Sequence, residues 1–267
     1  MENLKSDHEK IYKLGKLVEK TLTSLVYEAK NEEKKVIIKL VTKATYEHES
    51  KILRRIQEIN SPYLIRLLDT LNLSSPIEGK THGLIFEKYP SCLLDYIVDY
   101  SDRKNYDQVI LEGKRLFKQI SSGLQCLHSN NIVHLDLKLE NILMTDNHDI
   151  VIIDFNLSEI VSSSTPITKI CGSYDYLCPE IVQMKPYDPF KADIWALGVI
   201  LYSLVTDSLP FTNPNRHVIF SNILSLEIIF PYETELVTQD LLSHLLDRNA
   251  ATRFSIEQVL QHPYLHQ

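Results

Sequence analysis

Residues 134–141 read His-Leu-Asp-Leu-Lys-Leu-Glu-Asn, and thirteen residues after Asn141 stands Asp154, followed by Phe155 and Asn156. The side chains are of types that handle phosphate. Asp136 is a carboxylate able to orient a hydroxyl and take its proton. Lys138, two residues on, is a cation able to neutralise a phosphoryl group. Asn141 and Asp154 are oxygen donors suited to magnesium. Phosphoryl transfer calls for this set, because the transferred group carries spread charge and the protein must position and neutralise more than react. A lone His-x-Asp would carry little weight. The octet followed by Asp-Phe at this distance is far more specific.

Such loops need rigid elements behind them. Ile11 to Val18, Ser24 to Ala29 and Lys35 to Val41 alternate in strand fashion and predict three successive antiparallel strands. Tyr46 to Ile59 is charged with an apolar stripe at Ile52, Leu53 and Ile56, the pattern of a helix. Leu64 to Leu71 and Gly83 to Phe86 read as two further strands. After Tyr89-Pro90 the pattern turns helical, with Leu116, Ile120, Leu124 and Leu127 on one face of Val109 to Leu127. Asp193 to Val205 is apolar all round, which predicts a helix buried at the centre of a lobe. The expected class is α+β. A strand-rich N-lobe over about 11–88, a hinge near 87–92 and a helical C-lobe over about 93–265 make one domain of the 267 residues.

Composition narrows the partners. With 28 basic and 35 acidic residues the net charge is −7, which disfavours nucleic acid and acidic membrane surfaces. Four cysteines, at 92, 126, 171 and 178, show no paired metal spacing, and free thiols in a reducing compartment are expected. No apolar run of transmembrane length and no signal-peptide core stand out. A monomer in the cytoplasm, with the nucleus as a second location, is the expectation.

The octet with Asp154-Phe155 resembles the catalytic and magnesium loops of eukaryotic protein kinases, with Leu135 where Arg is expected and Asn156 where Gly is expected. The resemblance covers roughly residues 11–265. It implies a bilobal fold, ATP and Mg2+ as cofactors, and protein or peptide substrates. Val36-Ile37-Ile38-Lys39 is similar to the strand whose lysine pairs the nucleotide phosphates. Its implied partner is Glu49, which precedes Ser-Lys-Ile-Leu, with Glu47 as competitor; the interval from Lys39 is shorter than usual. Matching Val26-Tyr27 to the end of the glycine-rich loop puts Glu19, Thr21 and Ser24 where glycines are expected, and Gly15 is too early to serve. Thr21 and Ser24 offer hydroxyl donors instead, while Glu19 adds a negative charge. Val18, Val26, Phe86, Glu87 and Leu143 complete the implied ATP-binding set. Of two readings, the resemblance favours an ATP- and magnesium-dependent serine/threonine protein kinase that transfers the γ-phosphate to protein hydroxyls. That active enzyme is favoured by the intact charged set of Lys39, Asp136, Lys138, Asn141 and Asp154. The other is a pseudokinase acting as an interaction or allosteric module, favoured by the glycine-free loop.

Gly172 to Glu180 resembles the end of an activation segment, and its Glu180 is expected to pair with Arg253. Asp193 resembles the aspartate that braces the catalytic loop. Leu53, Leu68, His134 and Phe155 fit the family's stacked apolar spine. Lys138 after Asp-Leu, and Ser173 after Gly172, are the serine/threonine form. Finer likeness runs to the calmodulin-dependent kinase group, near its sucrose-nonfermenting and microtubule-affinity-regulating branch. Glu140 stands where basophilic members contact an arginine of the peptide, and Cys92 replaces a second acidic residue. Leu135 offers no charge to an activation-segment phosphate, and the usual phosphoacceptor position is Lys169, with Thr168 out of register by one. The segment is therefore expected to hold without phosphorylation, by packing or by a local ion pair from Lys169.

Overall fold

Alternating apolar residues near the start of the chain do build a sheet, and that sheet has one strand more than the periodicity predicts. The computed structural model describes residues 3–32, 34–101, 106–162, 165–231 and 234–266. It divides into two units, Met1–Pro90 and Ser91–Gln267.

In the first unit six antiparallel strands, β1 (Asn3–Lys5), β2 (Ile11–Lys20), β3 (Ser24–Lys30), β4 (Lys35–Val41), β5 (Leu67–Ile77) and β6 (Lys80–Glu87), lie in the order β1-β2-β3-β4-β6-β5. Val36, Ile38 and Leu40 of β4 point to one face and pack with Tyr12, Leu25, Leu71 and Ile85. Gly83 sits opposite Leu71 so closely that a Cβ would come within 2.6 Å of its Cδ1. The unexpected strand, β1, anchors through Leu4 in this core. Just beyond it the Asp7 N–H donates to the Thr70 carbonyl (2.9 Å), the Thr70 hydroxyl donates to the Asp7 carboxylate, and His8 Nδ1 meets Asp69 Oδ1 at 2.6 Å. These bonds join the two edges of the sheet, which therefore curls round on itself. The unit thus begins before residue 11.

Helix α1 (Lys43–Ile59) follows β4 after a single residue, Thr42, whose side chain caps it by accepting from the Thr45 N–H. Ile52, Leu53 and Ile56 are buried as the stripe predicts. Leu68 does not join the core: it is 47% exposed, whereas Leu71 is fully buried. The register of β5 against β6 slips between Leu67 and Asp69, and a one-residue slip moves a side chain to the other face.

The second unit carries β7 (Ser91–Cys92), α2 (Leu93–Ser101), α3 (Tyr106–His128), β8 (Ile132–Val133), β9 (Ile142–Met144), β10 (Ile150–Ile152), β11 (Glu159–Ile160), α4 (Pro179–Val182), α5 (Pro189–Thr206), α6 (Arg216–Ser225), α7 (Leu236–Leu245) and α8 (Ile256–Gln261). Two small ladders, β10-β9-β7 and β11-β8, frame the loops that matter. Helix α5 is capped by Asp188 and buried over most of its length. It is long and apolar enough to cross a membrane by length and composition, yet 72% of that window is buried inside the unit. Its Trp195 stacks on Phe211 (5.6 Å between ring centroids) and lies under the Arg253 guanidinium at 5.1 Å.

Candidate active site

Lys39 Nζ donates to Glu49 Oε1 at 2.8 Å, with side chains 10% and 1% exposed. The short interval between them is accounted for by Thr42, since strand runs into helix with no further loop. Glu47 instead lies on the exposed face of α1, 3.8 Å from Lys43. The structure therefore places Glu49, not Glu47, beside the lysine.

The hairpin between β2 and β3 is built differently from the expectation of free hydroxyl donors. Thr21 Oγ1 accepts from the Ser24 N–H (3.0 Å) and the Thr23 N–H (3.3 Å) and lies 2.9 Å from Ser24 Oγ. The hydroxyls are thus spent inside the turn. From β6, Lys80 Nζ donates to the Leu22 carbonyl (2.7 Å), and Lys20 pairs with Glu78 at 2.6 Å. Nothing in the sequence pattern singled out Lys80, whose contact spans the sheet. Glu19 and Val18 are exposed on β2, Val26 and Phe86 are half-buried, and Glu87 is exposed at the end of β6.

In the second unit the residues of the octet converge. Asp193 Oδ2 accepts from the His134 N–H and Asp193 Oδ1 from the Leu135 N–H, both at 2.8 Å. His128 Nε2 lies 2.9 Å from Oδ2, a third bond that sequence reading missed. This brace holds Leu135 at φ +64°, a left-handed conformation that costs an ordinary side chain energy. The next residue, Asp136, is thereby presented with its carboxylate fixed. Oδ1 accepts from the Ser173 N–H (2.9 Å) and Ser173 Oγ–H (3.0 Å), and Oδ2 from Asn141 Nδ2 (3.1 Å). Lys138 Nζ stands 3.2 Å from Oδ2 and donates to Ser173 Oγ at 2.8 Å.

Asn141 and Asp154 are tied together by backbone: the Ile153 N–H donates to the Asn141 carbonyl at 2.9 Å. The Ile153 carbonyl lies 2.9 Å from His134 Nε2, and the His134 and Phe155 rings pack 5.0 Å apart, both fully buried. Asp154 itself adopts φ +62°. Asn156, where glycine was expected, keeps a negative φ, so its backbone does not require glycine there. Asn141 Nδ2 also donates to the Asp136 carbonyl (2.8 Å), which commits its nitrogen and leaves Oδ1 as the atom that would hold a metal. Among the described residues no group of three or more His, Cys, Asp or Glu gathers. An amide oxygen and a carboxylate fit magnesium, which keeps few protein ligands and takes the rest from phosphates and water. Leu143 follows on β9, half-buried and paired with Cys92 and Val151.

The segment returning from Asp154 closes on the same loop. Gly172, at φ +104°, passes so near that a Cβ would lie 3.0 Å from the Leu135 carbonyl, and Ser173 follows on Asp136. Lys169 Nζ donates to Glu159 Oε1 (2.7 Å) and to the Leu157 carbonyl (2.8 Å), while Thr168 is exposed. Arg253 Nη2 donates to Glu180 Oε1 at 2.9 Å. Burial pushes the thiol of Cys178, two residues before Glu180, up to about 12.

This two-unit arrangement, a curled antiparallel sheet with one main helix and a helical second unit carrying the Asp136 and Asp154 loops, is the bilobal protein-kinase fold. The protein kinase domain family matches residues 12–265, and the chain belongs to it. Among its relatives are Protein kinase kin1 of Schizosaccharomyces pombe, 30% identical over 231 residues (84% of this chain, 25% of the relative), and a probable myosin light chain kinase of Dictyostelium discoideum, 32% identical over 269 residues (95% and 81%). The SNF1-related protein kinase catalytic subunit alpha KIN12 of Arabidopsis thaliana is 33% identical over 237 residues (86% and 46%). The chain spans about a quarter of the length of the fission-yeast relative.

Proposed function

We propose that this chain transfers the γ-phosphoryl group of ATP to serine or threonine hydroxyls of protein substrates. The observation that carries the reading is the fixed Asp136 carboxylate, with Ser173, Asn141 and Lys138 all within hydrogen-bond or ion-pair distance. Asp136 orients the acceptor hydroxyl and takes its proton. Lys138 neutralises the group in transfer, and Lys39, held by Glu49, receives the α- and β-phosphates. Asn141 Oδ1 and Asp154 would hold magnesium, which when bound neutralises charge on the β- and γ-phosphates. Further relatives whose names read serine/threonine-protein kinase support that class. Glu140, exposed within the octet, supports a preference for basic peptides. Four unpaired cysteines support a cytoplasmic or nuclear setting.

The pseudokinase alternative draws on the β2–β3 hairpin, whose amides already bond to Thr21. Phosphate incorporation from Mg-ATP into a basic serine peptide, compared with Asp136→Asn, tests the proposal. Nucleotide binding without incorporation would select the alternative.

A further inference from the structure

We propose that the Glu159–Lys169 ion pair is a positioning device for Asp136, doing with a genetically encoded cation what an added phosphate does elsewhere; the proposal rests on the kinase reading above. Glu159 lies in β11, paired directly with Val133 of β8, and Val133 leads straight into the His134–Asp136 loop. Lys169 lies in the returning segment, three residues before Gly172. Its Nζ bonds to Glu159 Oε1 and the Leu157 carbonyl, and its own carbonyl accepts from the Tyr187 hydroxyl at 2.7 Å. Ile167 and Tyr187 exchange both backbone bonds (2.9 and 3.0 Å), fixing the same stretch against the chain before α5. From this anchor the backbone turns at Gly172 and delivers the Ser173 N–H and hydroxyl to Asp136 Oδ1.

The charges are arranged for a cation, not an anion. Thr168 is exposed, and no contact ties it to the pair. On the catalytic-loop side, the chain offers the buried, uncharged Leu135. The two side chains of the pair are 34% and 36% exposed, so the pair contributes little to global stability. Its effect belongs in placement, where a shift of about 1 Å costs up to roughly 10²-fold in rate.

The test uses the full chain treated with phosphatase, its unmodified mass confirmed, and four variants: Glu159→Lys, Lys169→Glu, the double swap, and Lys169→Arg. Peptide kinetics, melting temperature and hydrogen exchange over residues 157–177 are measured on each. Each single reversal should lower kcat about tenfold or more and open the segment to exchange, with the KM for ATP little changed and the melting temperature within about 2 °C. Lys169→Arg should match the parent, and the swap should recover most of the kcat and protection. Singles indistinguishable from the parent, a swap no better than the singles, or activity that appears only after phosphorylation of Thr168 would each overturn the proposal. If the parent transfers no phosphate at all, the kinase reading fails, and the exchange series still decides the pair: protection lost in the singles and regained in the swap upholds it, and unchanged exchange overturns it.

Discussion

Asp136 is the side chain on which most of the chemistry turns. Replacing it with Asn keeps the bonds that a neutral amide can form but removes the proton acceptor. Asp136→Asn should lower kcat by about 10²–10⁴-fold with the fold intact, judged by circular dichroism beside steady-state kinetics. Lys39 and Glu49 differ in kind, because both are buried. Lys39→Met leaves an uncompensated carboxylate and should cost about 3–5 kcal/mol in the denaturant unfolding of the unit that holds it. At this level the chain was readable where chemistry forces residue type and spacing, as in the octet. It was unreadable where a partner comes from far along the sequence. His128 on Asp193 carries no local signature, whereas the ion pair from Lys169 was expected and only its partner, Glu159, went unnamed. Leu68 misled because the slip beside it exchanges the two faces of β5.

The nucleotide hairpin shows how a strand pair can be stiffened without glycine. Thr21 Oγ1 holds the N–H groups of Thr23 and Ser24, while Lys80 and Lys20 hold the tip to the β5–β6 turn. Thr21→Gly should release those two amides and tighten Mg-ATP binding several-fold, since free backbone N–H groups are what phosphate seeks. Isothermal titration calorimetry checks this, and weaker binding would mean the turn's own bonds are needed for its shape. The strands β2 to β6 and the helices α1, α3 and α5 were legible apart from their ends, while the short elements of the second unit were not. Helix α1 begins three residues before its apolar stripe suggests because Thr42 caps it. Strand β1 escaped notice because three residues with one apolar side chain have no measurable period.

Across the molecule, the closing of the sheet depends on pH. The hydrogen bond to Asp69 and the attraction of its charge raise His8 above its ordinary 6.5. Burial would raise Asp69, but bonds from His8, Ser6 and Thr70 outweigh it and hold that carboxyl below 3.8. The histidine's contribution is full below about pH 6.5 and is lost as pH rises through its raised value. The aspartate's is full above about pH 3.8 and is lost as pH falls through its lowered value. The pair is therefore complete in the mildly acidic range between. The melting temperature of the parent should drop more between pH 6 and pH 8.5 than that of His8→Ala, and added salt should shrink the difference.

Trp195 is the chain's single tryptophan. It is fully buried between Phe211 and Arg253 in the second unit. Intrinsic fluorescence excited at the red edge of the indole band therefore listens to one unit and is deaf to the other. Its emission should start blue-shifted and move red only when α5 loses its packing. Far-ultraviolet dichroism, by contrast, sums helices and strands from both. Superimposed denaturation curves from the two signals would mark a single cooperative transition. Separated midpoints would resolve the curled sheet and the helical unit as distinct melting bodies without any label being attached.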